Sequence, residues 1–229
     1  MKKILKITAI VFALIIATIA LLLWSASEPL PQGETGPAAE ALADKMLQAL
    51  NKPAYDSLEE LTWSFPRGHS FVWDKSVHQV KVQWADFTVD LQPNRLDGVA
   101  YQNGEELSGT SRDEAIQKAW ALFANDSFWL VAPYKVRDPG TVRKLVETNE
   151  GPALLVTYST GGVTPGDSYL WILDESGRPK AWKMWVSILP IKGLEFSWEN
   201  WQQLEGAWFA PTHVGPASLS VDLTNLQAR

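Results

Sequence analysis

The sequence predicts an α+β fold that consists mainly of antiparallel β-strands. Apolar residues follow a period of two over most of the chain, which is typical of strands with one buried face. The segments come in the order helix, strands, helix, strands, and because strands and helices do not alternate one by one, a parallel sheet is not expected. The pair Asn103-Gly104 between two strand segments indicates a tight hairpin. We therefore expect a large antiparallel sheet with helices on one face.

The chain begins with a run of uncharged apolar residues, Ile7 to Trp24, which follows three lysines. At ~1.5 Å per residue a helix of this length reaches roughly 27 Å, enough to cross a thin hydrocarbon core. Two interpretations stay open: a membrane anchor with its N-terminus inside, or a signal peptide cleaved near the small residues Ser25 and Ser27. The run exceeds the ~7–15 apolar residues usual in a signal peptide, which favours the anchor. We expect residues 1–27 to place the rest of the chain in the cell envelope, on the periplasmic side of the inner membrane.

The residues after this run are predicted to form a linker and a single domain. Residues 28–36 contain Pro, Gly and small polar residues, which is typical of a linker. Residues 37–229 have a suitable length for one domain. Its first helix is predicted from Pro37, since proline suits a first helical position, to Leu50. The apolar stripe of that helix contains Ala39, Leu42, Met46, Ala49 and Leu50.

Strands are predicted on both sides of a second helix, and the turn residues between them indicate antiparallel pairing. The strands before that helix are predicted in the stretches ELTWSF, HSFVWD, HQVKVQW, FTVDLQ and AYQNGEEL. The strands after it are predicted in TVRKLVET, ALLVTYST, SYLWILD, KAWKMWVSIL, LEFSWENWQQL, AWFAPTHV and ASLSVDL. The helix itself is predicted from Arg112 to Ala124, with Ser111 and Glu114 as a capping box.

A further strand is predicted directly after the second helix, in the stretch NDSFWLVAPYKVRDPG, residues 125–140. A strand here is apolar on both faces, because Phe128 and Leu130 point one way while Trp129 and Val131 point the other. A single antiparallel sheet with helices on one side leaves its other face in water. The stretch therefore requires a second cover, which is either protein or a bound ligand.

The composition excludes several classes of function. The net charge of −6 argues against a nucleic-acid partner, because phosphate binding depends on clustered Lys and Arg. The absence of Cys excludes disulfides, thiolate metal sites and a cysteine nucleophile. No phosphate-binding loop and no GxSxG motif occurs, and STGGVTPGD (residues 159–167) is interpreted as a long hairpin turn because it does not open a helix. We expect no cofactor, no metal and no catalytic residue.

Two weak constellations of polar residues have simpler explanations. His69 and His78 fall in neighbouring strand segments, where a hairpin would let them approach each other, but surface or turn positions explain them better, since no carboxylate stands at motif spacing. Asp86 and Asp90 share one strand face, where exposed carboxylates are common. Neither pair predicts a site.

The twelve tryptophans are the other candidate feature. Plain core packing explains them, because each such ring buries ~150–250 Å². The strands that are apolar on both faces favour a second interpretation, an apolar cavity that holds a ligand. The candidate lining residues are Trp63, Phe65, Trp73, Trp84, Trp120, Phe123, Phe128, Trp129, Leu130, Trp171, Trp182 and Met184.

Four stretches of the chain resemble an uncharacterised bacterial family of exported proteins in the superfamily of outer-membrane lipoprotein carriers and receptors (LolA/LolB-like). They are LTWSFPRGHSFVWDK, NDSFWLVAPYKVRDPG, GVTPGDSYLWILDESGRPKAW and WENWQQLEGAWFAPT. The resemblance covers about residues 37–212. It transfers no site residues, because the function of that family is unknown.

The resemblance implies a strongly curved antiparallel sheet, a half-open barrel wrapped around helices, with an apolar cavity for acyl chains. The chain departs from the carriers in its N-terminal apolar run, and from the receptors in lacking a cysteine for lipidation. A fixed acceptor or sensor therefore fits better than a diffusing shuttle. We expect non-catalytic binding of a lipid, acyl chain or other apolar ligand. The alternative is a protein–protein interaction module with a fully packed core, and a hydrolase has the least support.

Overall fold

The computed structural model describes Phe12, Thr18 and residues 25–229. The predicted anchor or signal segment, Ile7 to Trp24, therefore lies outside the described residues apart from those two positions. No helix within the described residues is long and apolar enough to span a membrane.

The α-helices are α1 (Pro37–Ala49), α2 (Lys52–Ser57) and α3 (Gly109–Val131), and a 3-10 helix, Ala132–Lys135, follows α3 directly. The first strands are β1 (Glu60–Phe65), β2 (His69–Asp74), β3 (Gln79–Trp84), β4 (Phe87–Gln92), β5 (Asp97–Gln102) and β6 (Glu105–Glu106). After α3 come β7 (Thr141–Thr148), β8 (Gly151–Tyr158), β9 (Ser168–Leu173), β10 (Pro179–Trp185) and β11 (Leu194–Ser197). The last strands are β12 (Gln202–Leu204), β13 (Ala207–Phe209), β14 (Thr212–Val214), β15 (Ser220–Asp222) and β16 (Thr224–Ala228), with a short 3-10 helix at Pro216–Ser218.

The strands form two main antiparallel sheets, which confirms the α+β prediction. The seven-stranded sheet has the order β16-β1-β2-β3-β4-β5-β6, and the five-stranded sheet has the order β11-β10-β9-β8-β7. The predicted hairpin at Asn103-Gly104 joins β5 to β6, and the long turn at residues 159–167 joins β8 to β9. The expectation of one continuous sheet was wrong: the strands before α3, together with β16, pair separately from the strands after it.

Helix α3 packs against both sheets. Phe123 lies against the seven-stranded sheet, with its ring centroid 5.3 Å from that of Trp73 and 6.3 Å from that of Phe71. Two turns later Trp129 lies against the five-stranded sheet, 5.2 Å from Trp182 and 5.0 Å from Phe196. One helix therefore contributes core contacts to both sheets.

The predicted strand at residues 125–140 was wrong, because α3 continues to Val131 and the 3-10 helix follows it. The prediction took the apolar character of both faces as strand alternation, but a helix that is covered on two sides also has apolar residues on two faces. Pro133 does not interrupt α3, since it lies in the first turn of the 3-10 helix that follows. The helix also begins three residues earlier than predicted, at Gly109, and Ser108 at its N-cap makes no side-chain capping bond.

The segment predicted as a linker, residues 28–36, lies on the outer face of the five-stranded sheet. Glu34 exchanges two backbone hydrogen bonds with Leu145 of β7, at 2.9 and 2.8 Å. A side chain at Gly33 would collide with the Leu145 carbonyl oxygen and with Val146, so the segment runs close to β7. Beneath it lies a second apolar cluster, formed by Val146, Ala153, Leu155, Leu170 and Trp185. This segment covers part of the outer face of the five-stranded sheet.

Tyr134 joins the end of the α3 region to two other parts of the chain. Its hydroxyl donates towards the carbonyl oxygens of Trp208, at 2.7 Å, and Leu50, at 3.0 Å. It also accepts a hydrogen bond from the Trp208 N–H at 2.9 Å. Its ring stacks on Tyr55 of α2, with the centroids 4.0 Å apart. The hydroxyl is therefore a hydrogen-bond partner of backbone groups from two other parts of the chain.

We expect Tyr134→Phe to lower the free energy of unfolding by about 1–3 kcal/mol, because it removes the partner of buried backbone groups. Denaturation in urea, followed by circular dichroism, measures the change. Tyr158→Phe is the matched control, since the buried Tyr158 hydroxyl has no hydrogen-bond partner among the described residues. That control should not lose stability, and an equal loss in both variants would contradict the assignment of the Tyr134 bonds.

Candidate functional site

A cavity of about 580 Å³ lies beside α3. One wall is α3. Besides Asn125 and Trp129, six lining residues of this helix recur every three or four positions, the spacing of one helical stripe. These residues are Trp120, Phe123, Ala124, Ser127, Phe128 and Val131. The same helix that packs on both sheets therefore also presents an apolar stripe to the cavity.

The opposite wall consists of side chains from three neighbouring strands of the five-stranded sheet. Tyr158 ends β8, Tyr169 lies on β9, and Trp182 and Met184 lie on β10. Phe128 of α3 meets this wall, with its ring centroid 5.1 Å from Tyr158 and 4.9 Å from Tyr169. Aromatic rings at these separations form a closely packed apolar surface.

The rim is formed by loops and carries most of the polar groups. Residues 160–164 of the β8–β9 turn line one side, and Val186, Ile188 and Leu189 after β10 line another. His78 and the neighbouring pair Pro93-Asn94 come from turns of the seven-stranded sheet. The cavity therefore opens where turns from both sheets meet.

Buried Asp167 holds two of the rim loops together. Its carboxylate accepts a hydrogen bond from the Ser187 N–H at 2.8 Å and another from the Thr164 hydroxyl. Ser187 stands between Val186 and Ile188, so one carboxylate fixes both the β8–β9 turn and the loop after β10. The rim is thereby ordered by side-chain bonds and does not depend on strand pairing alone.

The tyrosines of the wall keep their hydroxyl protons. Burial raises the pKa of Tyr158 well above its ordinary value, and the nearby Asp138 carboxylate adds to the effect. Burial also raises the pKa of Tyr169, with a further contribution from Asp167.

Lys135 is the only Lys or Arg among the lining residues that the structure describes, and it pairs with Asp138 at 2.5 Å. The interior therefore lacks a free cation for an anionic ligand.

A buried pair fixes the position of α3 behind the cavity. His69 Nδ1, at the start of β2, lies 2.7 Å from Asp126 Oδ2 on α3. Burial raises the pKa of Asp126 to about 6, and the hydrogen bond with His69 partly opposes this. The neighbours of Asp126 on the helix, Asn125 and Ser127, both line the cavity. The pair therefore links the seven-stranded sheet to the lined part of α3.

The remaining polar candidates are separate from one another. His69 and His78 lie at opposite ends of the β2–β3 hairpin and do not meet. Asp86 accepts hydrogen bonds from Gln102 and Asn103, whereas Asp90 pairs with Lys81. Within the described residues, no group of three or more His, Cys, Asp or Glu side chains is placed to hold a metal ion.

His213, which the sequence did not single out, is fully buried in the core. Burial lowers its pKa to about 4, against the opposing effect of the Ser197 and Trp129 carbonyl groups. Its Nδ1 donates to the Ser197 carbonyl oxygen at 3.0 Å. The ring packs against Trp198, with the centroids 4.4 Å apart. His213 is therefore a neutral packing residue.

Seven of the twelve sequence-predicted lining residues border the cavity: Trp73, Trp120, Phe123, Phe128, Trp129, Trp182 and Met184. The other five do not border it. Trp63, Leu130 and Trp171 are enclosed in the core. Phe65 stacks on His69, and Trp84 stacks on Phe87. Whether any of these side chains contacts a ligand stays a prediction.

Sequence reasoning missed the tyrosine wall and the rim. Tyr158 and Tyr169 carry the same strand alternation as their neighbours, and nothing in the pattern distinguishes them. The β8–β9 turn did carry a signal, because residues 159–167 are longer than the two to five residues usual in a hairpin loop. Long turns are often functional.

No protein-family model matches the sequence, and no curated protein matches it. Among solved structures, the chain is similar to a DUF1329 family protein from Desulfovibrio piger, with 14% sequence identity and a TM-score of 0.38. The match covers 82% of this chain and 92% of that chain. A similarity this low supports no conclusion about function, so the family resemblance of the sequence stays a prediction.

The Asp126–His69 pair predicts a pH-dependent stability. Burial raises the pKa of Asp126 in the folded state. Its contribution to the free energy of unfolding is therefore complete below the ordinary pKa of 3.8 and is lost as the pH rises through about 6. We expect His69→Leu to lower the free energy of unfolding more at about pH 8 than at about pH 4, since it leaves an ionised carboxylate buried without its partner. Urea denaturation at the two pH values measures the difference.

The control for this prediction is Asp126→Asn in the His69→Leu background. Because the amide does not ionise, the extra loss at high pH should disappear. An equal loss at both pH values in His69→Leu would contradict the assignment of Asp126 as a buried group that titrates on folding.

Proposed function

We propose that the protein binds the acyl chain of a lipid, without catalysis, in the cavity beside α3, and that it does so on the periplasmic side of the inner membrane. The observation that carries the proposal is the cavity itself. Its volume of about 580 Å³ lies within the ~300–1,000 Å³ typical of small-molecule sites. Its two walls are the apolar stripe of α3 and the aromatic surface of β8, β9 and β10.

The chemistry of the lining favours a hydrocarbon ligand. Phe128, Trp182 and Met184 supply ring faces and a flexible thioether, which adapt to an apolar chain. Each methylene that leaves water contributes about 0.8 kcal/mol. An acyl chain therefore gains enough from burial alone to bind without a specific polar contact.

The charges favour the same class. A phosphate-rich or acidic small molecule requires cations in the site. Among the described lining residues the only Lys or Arg is Lys135, which is paired with Asp138, and the carboxylate of Asp167 also belongs to the lining. We therefore place the charged or polar end of the lipid at the rim and its chain inside.

The proposed location depends on the N-terminal apolar run. Ile7 to Trp24 is long enough for a membrane anchor and is preceded by lysines, the arrangement expected of a segment with its N-terminus in the cytoplasm. An anchored protein stays at one membrane, so we propose a fixed acceptor or sensor of lipid and not a diffusing carrier.

Photolabelling tests the proposal on the full chain in lipid vesicles. A palmitic acid that carries a diazirine on its chain is added and irradiated, and the labelled peptides are identified by mass spectrometry. We expect labels in residues 120–131 of α3 and in residues 182–189. Labels confined to residues 7–24 would contradict the proposal, because a membrane segment alone accounts for them.

A cavity-filling variant sharpens the same test. Ala124 lines the cavity, so Ala124→Trp should reduce labelling of α3 by about tenfold or more, equivalent to about 1.4 kcal/mol of binding. Gln117→Trp is the matched control, because Gln117 is exposed, lies two turns before Ala124 on α3 and is not among the described residues that line the cavity, so the same ring there should leave labelling unchanged. Circular dichroism checks that both variants are folded. Undiminished labelling in Ala124→Trp would contradict the cavity as the binding site.

A further inference from the structure

The loop after β10, which we call the rim loop (Val186–Gly193), is more apolar than a surface loop normally is. Its centre reads Ile-Leu-Pro-Ile, and Ile188 is 65% exposed. Val186, Ile188 and Leu189 also line the cavity. The rim loop is therefore at once an exposed apolar surface and one side of the cavity mouth.

The residues that follow the N-terminal apolar run are bonded to this same loop. The Glu28 N–H donates to the Lys192 carbonyl oxygen at 2.9 Å, and the Lys192 N–H donates to the Ser27 hydroxyl at 3.2 Å. The aliphatic part of Glu28 packs so closely on Gly193 that no side chain fits there. Three kinds of contact thus hold residues 27 and 28 against the rim loop.

Two side chains of β10 strengthen the attachment. Trp185 Nε1 donates to the Glu28 carbonyl oxygen at 2.8 Å. Lys183 Nζ lies 2.9 Å from both carboxylate oxygens of Glu28. Glu28 is therefore fixed through its backbone, its side-chain stem and its charge.

Chain length then limits the distance between the apolar run and the rim loop. The run ends at Trp24, four residues before Glu28. Four residues span at most ~14 Å, even when fully extended. If the run spans a bilayer, the rim loop is within that distance of the point where the chain leaves the hydrocarbon.

We infer that the rim loop lies in the membrane interface, and that the cavity exchanges its acyl ligand directly with the adjacent leaflet. Exposed apolar side chains such as those of this loop lower their free energy when they enter the apolar part of the interface. The partner of the exposed apolar surface is then the bilayer itself. A lipid chain moves from membrane to cavity along Ile188 and Leu189 without crossing water. This inference rests on the proposed function for its ligand and on the anchor for its geometry.

The absence of Cys allows a direct test of the docking. Ile188→Cys in the full chain is labelled with an NBD fluorophore and reconstituted into vesicles that contain a lipid with a nitroxide near the headgroup. We expect quenching of at least about twofold relative to vesicles without nitroxide. Val99→Cys is the matched control, because Val99 is also exposed but lies on the outward face of the seven-stranded sheet. It should not be quenched.

A second variant tests the exchange. Ile191 belongs to the rim loop but does not line the cavity, so Ile191→Asp should slow the appearance of the photolabel in α3 severalfold, with the final amount unchanged. An unaffected rate, or an unquenched Ile188→Cys fluorophore, would overturn the inference. Quenching of both fluorophores would also overturn it, since contact with the membrane would then not be specific to the loop.

The two proposals fail separately. If α3 is photolabelled but the rim loop is not quenched, the cavity binds lipid that arrives through water or from a protein, and only the docking inference falls. If the rim loop is quenched but α3 is never photolabelled, the proposed ligand is wrong and the exchange falls with it.

Discussion

The placement of α3 between the two sheets is the constraint on which the rest of the structure depends. A helix with its side chains is ~10–12 Å across, and Phe123 and Trp129 pack it against one sheet and the other. Because both sheets rest on the helix, they cannot close on each other beside it. The space that is left must be filled by side chains or remain as a cavity. Along the stripe from Trp120 to Val131 it remains as a cavity of about 580 Å³.

The N-terminal segment connects this architecture to the proposed location. Residues 28–36 cover apolar residues on the outer face of the five-stranded sheet, through the Glu34–Leu145 bridge, and Glu28 is fixed to the rim loop. The same segment therefore completes the fold and sets how far the cavity mouth stands from the end of the apolar run. The stability of the five-stranded sheet and the proposed orientation of the cavity mouth towards the membrane then both depend on one short stretch of chain.

The sequence predicted helices and strands well wherever the spacing of apolar residues fitted only one of the two. Helix α1 begins at Pro37 as predicted, and the hairpin predicted at Asn103-Gly104 joins β5 to β6. The stretch after Asn125 fitted both the helical and the strand period. A helix that is covered on two faces has apolar residues at successive positions, and a strand that is buried on both faces has the same pattern. The lining was only partly predictable for a related reason: Trp171 and Trp182 are direct cross-strand partners, yet Trp182 borders the cavity and Trp171 does not. That difference arises from the position of α3, which alternation along a strand does not encode.

We propose that an apolar ligand, and not side chains, fills the space beside α3. The most direct measurement is an experimental density map of the full chain, extracted from its membrane in polymer discs without added detergent. We expect one elongated feature between Phe128 and Met184 that continues past Ile188 towards the lipid, and a lipid of matching mass in the sample. Rotation of Phe123 and Phe128 into the space, with no added density, would contradict it.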